Sequence, residues 1–132
     1  MSRENVELAR QVMDAISRRD VSALVAFAHP EVEWYSLFAI GEGGVYRGHD
    51  GTRRYMSDLD DAWEIGRADI DDAVGVGDVV VLVGRIRGRG KSSGADAEQP
   101  VGWMLRFRDG KVLRFRAFRE PEQALEAVGL SE

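Results

Sequence analysis

The chain has 132 residues, of which 44% are hydrophobic and 31% are charged, and its formal net charge is −5. This composition excludes a disordered or fibrous chain and predicts one globular domain over residues 1–132. Cysteine is absent and only two histidines occur, which excludes disulfides and thiolate catalysis and argues against a metal site. No apolar run is long enough to cross a membrane and no signal core is visible, so we expect a cytoplasmic protein.

The N-terminal region predicts two helices. Apolar side chains recur at helical spacing over residues 5–17: Val6, Ala9, Val12, Met13 and Ile16. Asp20 is expected to cap a second, shorter helix, because its carboxylate can accept a hydrogen bond from a free amide of the first turn. His29-Pro30 should end that helix, because the residue before a proline avoids the helical region.

A strand and a third helix follow. Residues 31–37 alternate, with Val32, Trp34 and Ser36 on one side, which is typical of a half-buried strand. A glycine-rich loop then leads to a helix over residues 52–63. Four residues of that helix are predicted to face inward: Tyr55, Met56, Leu59 and Trp63.

The remainder of the chain predicts strands over residues 67–74, 78–89, 101–108 and 111–118. The polar stretch from Gly88 to Gln99 predicts a mobile loop. Pro121 marks the first position of a short final helix, and Gly129 lies beyond its end. Helices concentrate early and strands late, which indicates an α+β fold with an antiparallel sheet rather than alternating βαβ units.

The last predicted hairpin can be followed residue by residue. A three-residue loop, Arg108-Asp109-Gly110, aligns apolar with apolar side chains across the two strands, with Gly110 left-handed at a bulge. The inner face then consists of Trp103, Leu105, Phe115 and Ala117 and extends to Arg119. The outer face carries arginines at 106, 108, 114 and 116. Together with Arg85, Arg87 and Arg89 they form an arginine-rich face that is solvated or buried in a dimer, with Asp69 and Asp71 expected as its cross-strand partners.

The order of elements, together with the segments DAISRRDVSALVAFAHPEVEW, GHDGTRRYM and FRDGKVLRFRAF, resembles the SnoaL-like branch of the nuclear-transport-factor-2-like superfamily. Its members are relatives of ketosteroid isomerases and polyketide cyclases. The resemblance implies a cone-like roll, in which a curved antiparallel sheet wraps around three N-terminal helices, plus a short C-terminal helix. It also implies a deep pocket and a homodimer formed through the outer sheet face.

The resemblance places the catalytic groups of the isomerases on residues that cannot serve. Those enzymes use a carboxylate base and an oxyanion hole formed by a tyrosine and a protonated aspartic acid. The base falls on Trp34, Tyr35 or Ser36, the aspartic acid on Trp103, and the tyrosine near Val12. Steroid isomerisation by that mechanism is therefore not expected.

Three residues remain as catalytic candidates. Glu120 is nearest to the late acid that transfers the proton in related polyketide cyclases. His49 precedes Asp50 and could act as a general base, although Asp50 also suits a helix cap. Tyr55 carries a polar tip on an inward helix face. The Asp-Arg-Asp set of related epoxide hydrolases is not assembled here, because the direction of Asp69 and Asp71 is undetermined.

Two indoles, Trp34 and Trp103, could form a flat apolar wall for a ring-shaped ligand, or they could be ordinary core. The predicted pocket-lining set is Val12, Ile16, Trp34, Ser36, Tyr55, Leu59, Trp63, Trp103, Leu105, Phe115 and Arg119. Nucleic acid is not an expected partner, because the chain is acidic and its strand arginines lie opposite the aromatic side chains.

The function expected from the resemblance is a cofactor-independent pocket protein that acts on a small hydrophobic metabolite. Its reaction would be an isomerase-like or polyketide-cyclase-like proton transfer. The alternative is a non-catalytic module of the same fold that binds a small molecule or forms a dimeric interaction surface. A titratable group with a perturbed pKa beside the pocket would favour the enzyme, and a wholly apolar pocket would favour the binding protein.

Overall fold

The computed structural model describes residues 2–36 and 45–129, without the side chains of residues 2 and 63–65. Its elements in chain order are α1 (Ser2–Arg18), α2 (Val21–Phe27), β1 (Ala28–Tyr35), β2 (Tyr46–Arg47), α3 (Gly48–Ala62), β3 (Trp63–Val76), β4 (Val79–Gly90), β5 (Asp96–Arg108), β6 (Lys111–Phe118) and α4 (Pro121–Ala127). Within this described part, the helices are too short or too polar to cross a membrane.

The strands form one curved six-stranded sheet in the order β2-β1-β6-β5-β4-β3. The predicted α+β class and roll are confirmed. The sheet is mixed rather than wholly antiparallel, because β1 pairs with β6 in parallel. A tight hairpin forces its two strands to be antiparallel, but β1 and β6 are distant in sequence and no hairpin joins them.

The predicted helix ends agree with the structure near the N-terminus and differ from it later in the chain. Asp20 caps α2, since its side chain accepts a hydrogen bond from the Ala23 amide at 3.0 Å. The helix ends at Phe27, close to the predicted stop at His29-Pro30, and these two residues lie inside β1. Trp63 begins β3 instead of ending α3. The two-residue strand β2 was not predicted, because it is too short to show any alternation.

The predicted loop from Gly88 to Gln99 is wrong over most of its length. β4 continues to Gly90 and β5 begins at Asp96, so only a short turn separates them. Ion pairs cross these strand ends, with Arg85 3.1 Å from Glu98 and Arg89 3.1 Å from Asp96. The polar composition therefore reflects a solvated hairpin with opposite charges across the strands, not a loop.

The turn between β5 and β6 is also shorter than predicted. Asp109 and Gly110 form a two-residue turn with φ angles of 55° and 73°, and Arg108 pairs with Lys111. Two left-handed residues match the twist of a hairpin better than the predicted three-residue loop. A register shift between Arg106 and Phe107 then restores the alignment of apolar residues.

The predicted faces of this hairpin are confirmed despite the different turn. Trp103 pairs with Ala117 and Leu105 with Phe115, and all four are buried. Four outer-face arginines are exposed: Arg106, Arg108, Arg114 and Arg116. The outer face is partly covered by the chain itself, because α4 packs on the side of β5 opposite Trp103. A Cβ atom added at Gly102 would lie 2.8 Å from the Ala124 Cβ atom, so only glycine permits this approach.

The core between the sheet and helices α1 and α3 is centred on Trp34, which is fully buried. Its ring stacks on Tyr55 with centroids 5.5 Å apart and lies 5.1 Å from the ring of Phe115. The indole N–H donates to the Thr52 hydroxyl at 2.8 Å, and that hydroxyl donates to the Gly48 carbonyl at 2.8 Å. The one polar atom of this large side chain is thus satisfied inside the core.

Glu33 joins three strands on the outer face. Its carboxylate lies 3.2 Å from Arg47 on β2 and 3.1 Å from Arg114 on β6, and the Tyr35 hydroxyl donates to it at 3.2 Å. Burial raises the pKa of Glu33, but the hydrogen bonds from Arg47, Tyr35 and Arg114 outweigh it. The net pKa of this carboxyl is therefore below its usual range.

We expect Glu33→Gln to lower the free energy of unfolding by about 1 kcal/mol near neutral pH, because both arginines lose their partner. The pKa of Glu33 is lower in the folded than in the unfolded state, so its stabilisation is complete above the unfolded value of about 4.3 and disappears as the pH falls through the folded value. Urea unfolding of both proteins near neutral pH and near pH 3 measures this. Glu31→Gln, an exposed neighbour, is the control, and a difference unchanged in acid would contradict the ion-pair origin.

Candidate functional site

A cavity of about 250 Å³ lies between the inner face of the sheet and the helices α1 and α3. Its wall contains Gly66, Ala68, Ala97 and Ala117, which leave space that larger side chains would fill. The larger apolar residues of the wall are Met13, Ile16, Leu59, Ile86 and Trp103. The polar residues of the wall are Ser17, Arg19, Ser36, Tyr55, Arg67, Gln99 and Arg119.

The predicted pocket-lining residues fall into two groups and one exception. Those that lie in the cavity wall are Ile16, Ser36, Tyr55, Leu59, Trp103 and Arg119. Those that lie in the core outside the wall, fully or almost fully buried, are Val12, Trp34, Leu105 and Phe115. The side chain of Trp63 is outside the described residues. The second group packs where sheet and helices meet closely, so its side chains fill the space that the prediction left open.

Two of the candidate catalytic residues lie away from the cavity. His49 is in the first turn of α3, and its Nε2 atom is 2.9 Å from the Ala28 carbonyl oxygen. Asp50 pairs with Arg53 at 2.9 Å within the same helix, instead of capping it. Glu120 is exposed at the N-cap of α4 and makes no side-chain cap hydrogen bond. Neither His49 nor Glu120 contributes to the cavity wall.

Two acidic residues of β3, Asp69 and Asp71, also lie outside the cavity wall. Asp69 lies 3.1 Å from both Arg67 and Arg87, and Asp71 lies 3.6 Å from Arg85. The predicted cross-strand pairing with the arginine-rich face is confirmed. Neither aspartate is in the wall of the cavity, so these two residues do not form the carboxylate pair of an Asp-Arg-Asp set there.

Tyr55 is the catalytic candidate that reaches the cavity. It is 5% exposed, and its hydroxyl has no hydrogen-bond partner among the described residues. In the same part of the chain, no completely buried side-chain nitrogen or oxygen lacks a partner, so this hydroxyl is not completely buried, and the residue lies in the cavity wall. Burial raises the pKa of Tyr55, and the nearby charge of Arg19 opposes this only in part. Tyr55 is therefore a neutral hydrogen-bond donor at physiological pH.

Arg19 is a cavity residue that the sequence analysis missed. It follows α1 in a left-handed conformation with φ 57°. The Arg19 amide donates to the Ile16 carbonyl at 3.2 Å and the Asp20 amide to the Ala15 carbonyl at 2.9 Å. This is the hydrogen-bond pattern of a Schellman motif, whose left-handed position usually holds glycine. No signal in the sequence identifies Arg19, because the cavity is formed by residues far apart in the chain.

The polar side chains of the cavity wall can all donate hydrogen bonds. Among the described residues that line the cavity, none is aspartate, glutamate or histidine, so none of them accepts a proton readily near neutral pH. Tyrosine, serine and arginine donors stand among apolar side chains. The described part of the chain also contains no cluster of three or more His, Asp or Glu residues that could hold a metal ion.

Comparisons with known proteins identify the fold. A structure of TerC co-crystallised with polyporic acid has a TM-score of 0.78, is 23% identical, and the alignment covers 93% of this chain and 96% of that one. A hypothetical protein with a ketosteroid isomerase-like fold from Catenulispora acidiphila, in complex with trimethylamine, has a TM-score of 0.77 at 19% identity, over 94% and 93% of the two chains. A putative SnoaL-like polyketide cyclase from Shewanella denitrificans has a TM-score of 0.76 at 16% identity, over 93% and 94%.

At these identities the structural likeness establishes the fold alone. Among curated proteins, none matches this chain significantly. The family model described as the SnoaL-like domain matches residues 9–115, and the resemblance noted in the sequence is thereby confirmed. The match extends over α1 to β6 and includes most of the cavity wall. Since it covers well over half of the chain, this protein belongs to the SnoaL-like domain family.

Proposed function

We propose that this protein binds a small, largely apolar organic molecule in the cavity without a cofactor. The observation that carries the proposal is the cavity itself, about 250 Å³ of space walled by apolar side chains such as Ile16, Leu59 and Trp103. Ligand sites are usually apolar cavities of roughly 300–1,000 Å³ with a few polar groups. At about 250 Å³ this cavity is slightly smaller than that range, so it suits a molecule of one or two rings. The complexes of TerC with polyporic acid and of the Catenulispora protein with trimethylamine support a small ligand in this fold.

Isomerase-like or cyclase-like proton transfer next to a carbonyl group is the second candidate, and Tyr55 favours it. A buried neutral phenol that reaches the cavity can donate a hydrogen bond to a carbonyl oxygen as negative charge develops there. The resemblance places the base of the isomerases on Trp34, Tyr35 or Ser36, the aspartic acid on Trp103 and the tyrosine near Val12, and none of these residues can serve in that role. The described wall supplies no side-chain base, so the proton would pass to a bound water or to a basic group of the substrate.

Binding can be tested with 2-naphthamide, a neutral two-ring probe, by isothermal titration calorimetry. We expect Ala117→Phe to weaken binding about tenfold or more, since losing about 1.4 kcal/mol of apolar contact is sufficient for that. Ala117 is 5% exposed in the cavity wall, so the larger ring fills the space that the probe needs.

Ala127→Phe is the matched control, because Ala127 lies at the exposed end of α4 and outside the cavity wall. The melting temperature of each variant shows whether it has folded. Equal affinity of the folded Ala117→Phe variant and the wild type for 2-naphthamide would contradict the proposal. A wild type that binds neither this probe nor its acid, 2-naphthoate, would also contradict it.

Catalysis can be tested by deuterium exchange of the α protons of 2-tetralone in D₂O, followed by NMR. If the protein promotes enolisation, Tyr55→Phe should slow the exchange by about 10²-fold, because it removes one donor to the developing oxyanion. An exchange rate that the wild-type protein does not raise above buffer would leave the protein as a binding module.

We further propose that the chain forms a homodimer through the part of the outer sheet face that α4 leaves uncovered. The guanidinium of Arg116 lies 5.2 Å from the ring centre of Phe118 and 5.8 Å from that of Tyr35. A surface with both rings and arginines is self-complementary, because an arginine of one copy can lie over a ring of the other.

Light scattering after size exclusion should give twice the monomer mass for the wild type. Phe118→Asp should shift the protein toward monomer, because it replaces an aromatic ring of this surface with a charge. Val21→Asp, which changes an exposed residue of α2, should leave the mass unchanged. A wild-type monomer at high concentration would refute the dimer.

A further inference from the structure

We propose that Arg19 and Tyr55 together form a subsite for an anionic oxygen, so that the ligand of this cavity is an organic acid whose carboxylate, phenolate or enolate is held by these two donors. The inference rests on the proposed function, since it assigns a ligand class to the same cavity. Both residues are in the cavity wall, and they come from different elements, the end of α1 and the middle of α3.

The backbone of Arg19 is unfavourable for its side chain. The left-handed region costs a non-glycine residue free energy, because its Cβ atom crowds the following carbonyl oxygen. Glycine at this position would complete the same Schellman motif without that cost. An outlier of this kind in the wall of a cavity is typical of a functional constraint, and here the guanidinium is what glycine would lack.

The guanidinium of Arg19 is held in place but only partly used. Its side chain is 20% exposed, and Nη1 donates to the Ile16 carbonyl at 2.8 Å and more weakly to the Gly66 carbonyl at 3.5 Å. The nearest carboxylate, Asp60, is 3.9 Å from Nε and is itself 65% exposed. No described residue accepts a hydrogen bond from Nη2, so a half-buried cation retains a donor for a ligand.

Tyr55 provides the second donor, since its buried hydroxyl also lacks a partner among the described residues. The two side chains interact electrostatically, because each changes the other's pKa. A cation and a neutral phenol facing the same apolar space recognise an oxygen that carries negative charge, whereas a neutral carbonyl group would gain less from the cation.

The other arginines of the wall are less suited to this role. Arg67 is bound to Asp69 at 3.1 Å, and its side chain is 62% exposed. Arg119 is exposed beyond the end of β6, where solvent screens its charge. Arg19 is the more buried cation, so it should discriminate most strongly between an anionic and a neutral ligand.

The test compares 2-naphthoate with 2-naphthamide, two probes of nearly equal shape that differ in charge. By calorimetry, the wild type should bind 2-naphthoate about tenfold or more tightly than 2-naphthamide, as expected for hydrogen bonds to a charged group. Arg19→Gly should reduce this preference to near unity without lowering the melting temperature, because glycine suits the left-handed backbone. Tyr55→Phe should reduce the preference in part.

Arg54→Gln is the matched control, because it removes an exposed arginine of α3 that lies outside the cavity wall and should keep the preference. Arg19→Lys retains the charge and should keep part of it. Equal binding of both probes by the wild type would overturn this inference while leaving the proposed function standing, whereas binding of neither probe would refute the proposed function. Loss of melting temperature in Arg19→Gly with an unchanged preference would show that Arg19 is a structural clamp and would also overturn the inference.

Discussion

The packing of three aromatic rings, Trp34, Tyr55 and Phe115, determines where the interior of this fold is filled by side chains and where a cavity remains. Trp34 is buried completely, and Thr52 accepts its indole N–H. Its ring packs against both Tyr55 and Phe115, whose own ring centroids are 6.2 Å apart. The stack joins β1, β6 and α3 and fills the space between them. Of the three residues, Tyr55 lies in the cavity wall and Trp34 and Phe115 do not, so the cavity borders this aromatic cluster at Tyr55.

The same aromatic packing also determines which polar group the cavity wall presents near these rings. Tyr55 is held by ring contacts, not by a hydrogen bond from its hydroxyl, so its polar tip is available to a ligand. Small residues of the sheet, such as Ala68 and Ala117, keep the opposite wall open. Arg19 adds a half-buried charge from the end of α1. The result is an apolar site with a few directed donors, which is the usual composition of a small-molecule site.

The comparison of predicted with observed elements shows which local signals are reliable. Alternation in β5 and β6 predicted the inner and outer faces correctly, because side chains of a strand must alternate whatever the turn. The turn itself was predicted wrongly, because a register shift downstream compensated for a two-residue turn. The polar ends of β4 and β5 were taken for a loop, because cross-strand ion pairs such as Arg89 with Asp96 are not visible from one strand alone.

The sequence by itself determined the fold class, the family, the buried faces of the strands and the cap of α2, because these depend on local periodicity and on motifs read along the chain. It also placed Ile16, Tyr55 and Trp103 on inward faces. Only the tertiary structure decided which inward residues line space and which fill it, since that depends on the distance between helix and sheet. It alone revealed Arg19, because a left-handed arginine becomes informative only when its side chain is seen to reach a cavity formed by residues far away in sequence.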